Sequence, residues 1–167
     1  MNRTKIEWVF NPDGSRPGWS WSPITGCLNG CSYCYARKLA NGRLRKRYLA
    51  NRHMATPDHS TQPFYPRFWP ERLDDPLGKA VSKGRTTTIY GHKPRGIFVC
   101  DMSDLFGIGI PEEWTRQVLD VISDCPHDRF YLLTKQFQNL AKFSPFPDNC
   151  CVGVTATDYI SAHKAMY

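Results

Sequence analysis

The chain lacks any run approaching the 18 apolar residues that a membrane-spanning helix needs, and its N-terminus (MNRTKIEWVFNPDGS) lacks an apolar stretch of signal-peptide length. Those absences predict no membrane partner and a cytoplasmic address. An even cysteine count is missing too: seven cysteines occur, which argues against the paired framework of a small secreted protein. No collagen or low-complexity period organises the 12 Gly and 13 Pro, so they predict loops rather than disorder throughout. Acidic side chains are scarce in the first half. Residues 1 to 90 hold 15 Lys or Arg against 6 Asp or Glu, whereas residues 91 to 167 hold 7 against 9. The basic surplus peaks in Arg37–Arg52, with seven basic side chains and no acid. Such a segment can recruit nucleic acid or another polyanion, or simply keep one face solvated. No aromatic-studded strand or finger spacing accompanies it. A length of 167 residues is that of one domain, able to bury roughly 70% of its unfolded surface.

What is present is a concentration of thiols. Three cysteines fall within eight residues, Cys27-Leu-Asn-Gly-Cys31-Ser-Tyr-Cys34. The spacing lets one short loop aim three thiolates at a compact inorganic centre, and Gly30 permits the tight turn between the first two. Structural zinc usually takes four protein ligands, commonly as two pairs. No second pair at that spacing exists here, because Cys150 and Cys151 are adjacent in an expected strand and point to opposite faces. A zinc reading therefore needs His53 or Cys100 as a lone fourth ligand. A cubane cluster on three cysteines leaves one iron open for a ligand.

The run Cys27-x3-Cys31-x2-Cys34, with Tyr33 before the last cysteine, resembles the cluster motif of the radical S-adenosylmethionine (radical SAM) superfamily. Trp19 to Cys27 (WSWSPITGC), Cys34-Tyr-Ala, Met102-Ser-Asp-Leu-Phe106, Leu132-Leu-Thr-Lys135, Asn149 and Val152-Gly-Val154 are similar to an uncharacterised, bacteriophage-associated branch of it. The resemblance covers nearly the whole chain. It implies a [4Fe-4S] cluster held by Cys27, Cys31 and Cys34, with the amino and carboxylate groups of SAM on the fourth iron. It also implies a one-electron donor, whose electron cleaves SAM to methionine and a 5'-deoxyadenosyl radical that takes hydrogen from a substrate. Such a cofactor pair performs the difficult step while the polypeptide orients and shields it. The resemblance sets Tyr33 near the adenine, although packing beneath its own loop is an equally simple use of that ring. It sets Asp101, Ser103 and Asp104 where the superfamily carries a Gly-Gly-Glu-like segment contacting SAM, a segment this chain replaces with Asp101-Met-Ser-Asp104.

Along the chain, residues 17 to 25 predict an extended segment feeding the cysteine loop. Residues 35 to 49 predict a helix with Tyr35, Leu39, Tyr48 and Leu49 on a broad face and a possible interruption at Asn41-Gly42. Residues 53 to 70, with four prolines and four aromatics, read as an irregular connection whose aromatics either line a concave site or pin the segment down. A short helix is expected from Glu71 to Lys79 behind Pro70, and a strand from Arg85 to Tyr90. Strands at Gly96–Cys100, Phe130–Thr134 and Cys151–Thr155 alternate with an amphipathic helix at Pro111–Ile122 and a helical candidate at Gln136–Lys142.

That rhythm predicts an α/β fold of right-handed βαβ units. The resemblance specifies it as a partial (β/α) barrel of the radical SAM type, with about four parallel strands in this chain. Sites of such folds gather beyond the carboxyl ends of strands, where Asp101, Ser103, Asp104, Thr134, Lys135 and Thr155 fall. The superfamily core usually has six βα units, and the last helix expected here, Asp158–Met166, is short. The chain therefore reads as the N-terminal part of such a domain, a truncated frame or a subunit that a completing chain finishes. The alternatives from other classes are a structural zinc protein and a basic nucleic-acid-binding module.

Overall fold

Strands that are apolar on both faces are stable only inside a sheet covered on both sides, which favours parallel pairing. The computed structural model describes residues 1–51, 53, 56–82, 85–88, 93–157, 159, 162 and 163. In chain order its elements are β1 (Asn2–Thr4), β2 (Gly18–Trp21), β3 (Ile24–Thr25), α1 (Tyr35–Asn41), α2 (Arg45–Leu49), α3 (Pro57–Thr61), β4 (Arg67–Phe68), β5 (Lys79–Ser82), β6 (Arg85–Thr88), β7 (Gly96–Val99), α4 (Glu112–Ser123), β8 (Arg129–Thr134) and β9 (Cys150–Val154). Single 3-10 segments cover Pro70–Arg72 and Phe137–Phe143. The main sheet has the order β1-β2-β7-β8-β9. Strands β2, β7, β8 and β9 run parallel, with β1 antiparallel at one edge. The chain is thus α/β with a mostly parallel five-stranded sheet, and among the described residues that sheet does not close on itself.

Register decides which side chains meet. One row aligns Ile97 with Phe130 and Cys150, and the next aligned row on that face joins Val99, Leu132 and Val152. Ile97, Val99, Phe130 and Leu132 share a core with Trp114, Val118 and Ile122 of α4, the face expected from helical spacing. The alternate row, Phe98 and Tyr131, points to the opposite side, where Trp8 meets both rings edge-on at 4.8 and 6.0 Å. Cys150 packs against the core and Cys151 is exposed, in line with strand alternation.

Several expectations need correction. The helix over 35–49 is interrupted where Asn41-Gly42 was expected to break it, Gly42 ending α1 with its N–H on the Lys38 carbonyl at 3.0 Å, but its buried face differs from expectation. Its buried face is Ala36, Ala40 and Tyr48, while Tyr35 is exposed; small alanines let the helix approach Phe64 and Trp69 closely. The helix expected over 71–79 shrinks to the 3-10 turn, because Pro76 disfavours helical backbone at Asp75, and Lys79 opens β5. The connection over 53–70 contains α3 and β4. Arg67, 1% exposed, anchors that segment by donating to the carbonyls of Asn51, His59, Gln62 and Pro63, so a buried cation is satisfied without a carboxylate. The strand expected at 85–90 is β6 over its described part and pairs with β5 in a separate hairpin. Residues 89 and 90, and six of the nine residues of the helix expected over 158–166, lie outside the described residues. No helix among the described residues is long and apolar enough to cross a membrane.

Candidate metal and cofactor site

The cysteine loop begins at a position only glycine fills. Gly26 has φ +85°, and a Cβ there would lie 2.3 Å from the Tyr65 carbonyl oxygen. Its N–H donates to the Met102 carbonyl at 2.9 Å, and the Cys27 N–H to that of Phe64 at 3.0 Å. Gly30, at φ +74° with open space beside it, makes the turn between the first two cysteines. Two thiols already receive backbone donors: the Asn29 N–H points to Cys27 Sγ and the Arg37 N–H to Cys34 Sγ, both at 3.4 Å. Cys34 thereby caps α1. Burial, reinforced by the Asp104 carboxylate and the neighbouring thiols, pushes the Cys27 thiol up to about 11. A small apolar cluster of Ala36, Ala40, Tyr48, Phe64 and Trp69 lies beneath Cys27 and Cys34.

The strand ends come to this loop. Asp104, buried, accepts four hydrogen bonds: from the Phe106 N–H (3.1 Å), the Thr134 hydroxyl (2.7 Å), the Asn29 amide (2.8 Å) and the Lys135 N–H (2.9 Å). Asn29 also accepts from Gln136 at 2.9 Å. Asn29, between Cys27 and Cys31, is therefore tied to the loops after β7 and β8. Ser103 donates to the Gly26 carbonyl at 2.5 Å, and Ser22 donates to the Asp101 carboxylate. Burial raises the pKa of Asp101, while hydroxyls of Ser22 and Ser20 pull it back. Tyr33 is 59% exposed and does not pack under its loop; Lys135 Nζ donates to its hydroxyl at 2.7 Å.

All seven expected site residues, Cys27, Cys31, Tyr33, Cys34, Asp101, Ser103 and Asp104, line one cavity of about 230 Å³. Thr134, Lys135 and Thr155 complete its strand-end rim. Tyr35, in the first turn of α1, lines it where that turn was expected to stand beside the cysteines, whereas Asn29, inside the cysteine loop, and Phe98, on β7, were not singled out. Cys100 lines it too, at φ +59° immediately after β7, and burial pushes its thiol far up. His53 instead sets its ring against Phe68 and Trp114, at 5.5 and 6.4 Å, and is not among the cavity's lining residues. Of the aromatics over 53–70, Phe64 lines the cavity while Phe68 and Trp69 are buried in the two apolar cores.

Among the described residues, no three His, Cys, Asp or Glu side chains converge closely enough for a single metal ion. A four-iron cubane makes a different demand, since each thiolate takes a separate corner and the ligands stand farther apart around one cavity. Three thiols facing one cavity, two of them with N–H donors, fit that donor set.

The family model described as "Protein of unknown function (DUF5131)" matches residues 3–166. The chain belongs to the DUF5131 family. No curated protein and no solved structure matches it. In this DUF5131 chain the basic segment flanks the cavity: Arg37 lays its guanidinium over Phe64 at 5.6 Å, while Arg43, Arg45, Lys46 and Arg47 are exposed. Arg52 lies outside the described residues.

Proposed function

We propose that this protein is a [4Fe-4S] cluster-binding, radical SAM-like protein, its cluster held by Cys27, Cys31 and Cys34, and its sheet part of an incomplete (β/α) barrel. The observation that carries the reading is one cavity lined by the three motif cysteines together with polar residues from the ends of three parallel strands. When bound, the cluster and SAM supply one-electron reductive cleavage of the sulfonium and, through it, hydrogen abstraction from a substrate. This chain's residues bind and orient. Asp104 fixes Asn29 and thereby the loop between the first two ligands. Tyr33 offers an exposed aromatic face beside the Lys135 ammonium, suited to a flat heterocycle with polar edges. Phe98, Leu133 and Phe64 give the cavity apolar walls. A cytoplasmic setting with a one-electron donor accords with this chemistry, and a completing chain would close the open side of the sheet.

The test is anaerobic reconstitution with iron and sulfide, expected to give about four of each per chain. Replacing Cys27, Cys31 or Cys34 by Ala abolishes assembly, whereas Cys125→Ser, at a thiol buried in the α4 core, leaves it intact. The alternative expected from the sequence, structural zinc with Cys100 as a fourth thiol, has against it that no three candidate ligands converge among the described residues. One zinc per chain without acid-labile sulfide would establish that reading and overturn the first.

A further inference from the structure

A second cavity, of about 530 Å³, adjoins the first, and Tyr35 and Asp101 line both. Its volume falls within the roughly 300–1,000 Å³ of small-molecule pockets. Three arginines line it: Arg43 between α1 and α2, Arg47 on α2, and Arg72. Arg72 is fixed in place, with Nη1 donating to the Ser22 carbonyl at 2.8 Å and its guanidinium 4.1 Å from the centre of the Trp69 ring. Burial and then the charge of Arg47 push its pKa down, so the two cations already repel one another.

The carboxylates present do not cancel this charge. Asp75 pairs with the terminal ammonium of Met1, and Asp101 accepts the Ser22 hydroxyl. That leaves three guanidinium groups against Glu71 and Asp101 on the cavity wall. Neither Arg43 nor Arg47 has an ion-pair partner among the described residues. Three arginines on the wall of one space match the tetrahedral oxygens of phosphate, whose second charge answers more cations than one carboxylate does.

We propose that this cavity binds the phosphate group of the molecule acted on in the cysteine cavity, with Arg43, Arg47 and Arg72 as its counter-charges. The reacting centre rests on the function proposed above; the anion site does not. A substrate anchored there by its phosphate would pass Tyr35 and Asp101 to reach the cysteine side.

The test uses the iron-free chain, so that loss of anion binding and loss of the cluster reading are separate results. Pyrophosphate binding is followed by calorimetry and by the fluorescence of Trp69, whose ring carries Arg72. Arg43→Gln with Arg47→Gln is compared with Arg45→Gln with Lys46→Gln, which removes the same charge from exposed neighbours that do not line the cavity. The first pair is expected to weaken pyrophosphate about tenfold or more and the second less than about twofold. A short single-stranded oligonucleotide is the second arm. The same variant pattern with it assigns the phosphate to a nucleic-acid backbone, and pyrophosphate-only dependence assigns it to a small phosphorylated molecule. Equal loss in both variant pairs, or no pyrophosphate binding by the unaltered chain at low salt, overturns the site and reduces the arginines to diffuse surface charge.

Discussion

Asp104 does more positioning than any other side chain near the cysteines, because one buried carboxylate satisfies donors from three separate stretches of chain. Replacing it with Asn turns one acceptor into a donor facing donors. Asp104→Asn is expected to cost about 2 kcal/mol in urea unfolding and to lower the iron retained after reconstitution. Undiminished stability would mean the network is not formed. The two glycines of the cysteine loop make a sharper pair. Gly26→Ala combines a positive φ with backbone oxygen 2.3 Å away and is expected to cost about 3 kcal/mol or more; Gly30→Ala meets nothing within 4 Å and pays about 1 kcal/mol for the conformation alone. Comparable losses at both positions would refute the clamp on Gly26. At this scale the sequence named Cys27, Cys31, Cys34 and Asp104 because each obeys a local rule of spacing or strand end. Asn29 obeys none, since its value lies in Asp104 and Gln136, which are 75 and 107 residues away.

Elements were legible where periodicity was long. The twelve residues of α4 and the three apolar strands β7, β8 and β9 fall within a residue or so of expectation. Short pieces were not, because α3, β4 and the 3-10 turn at Pro70 are held by tertiary bonds such as those of Arg67 rather than by their own pattern. Asn149 shows how elements are joined: its side-chain amide donates to the carbonyls of Ile122, Cys125 and Asp128, tying the end of α4 to the entry of β9. Asn149→Ala is expected to cost about 2 kcal/mol, and a loss within experimental error would show that those carbonyls find other partners. Thiols buried against these elements set an alkaline limit. Burial raises Cys125 to about 11 and Cys150 to about 12, so the folded chain holds these protons more tightly than the unfolded one. Their contribution is complete below about pH 9 and is lost as pH rises through the folded values. The urea midpoint of the iron-free chain should therefore fall above pH 9, and less steeply in Cys125→Ala; identical slopes would contradict it.

For the whole molecule, the sheet presents every parallel strand's carboxyl end at one rim and every amino end at the other. The face carrying Phe98 and Tyr131, opposite α4, is met by Trp8 but is not enclosed by further strands among the described residues. On the proposed function, a cavity open on that side would admit water and solvent hydrogen donors, and proximity would lose much of its benefit. Reconstituted chain given SAM and a strong reductant is expected to load its cluster fully yet form little 5'-deoxyadenosine relative to a Cys31→Ala control. Sustained cysteine-dependent turnover would show that four strand ends suffice. At the amino rim, Arg95 grips Asp128 at 2.5 Å and Asn149 closes its three carbonyls, whereas Asp104 and Thr134 occupy the carboxyl rim. Strand β8, from Arg129 to Thr134, separates the rims by roughly 17 Å. Energies of substitutions at the two rims should accordingly add. A change confined to the loops at the carboxyl rim therefore leaves the bonds of Arg95, Asp128 and Asn149 at the amino rim in place.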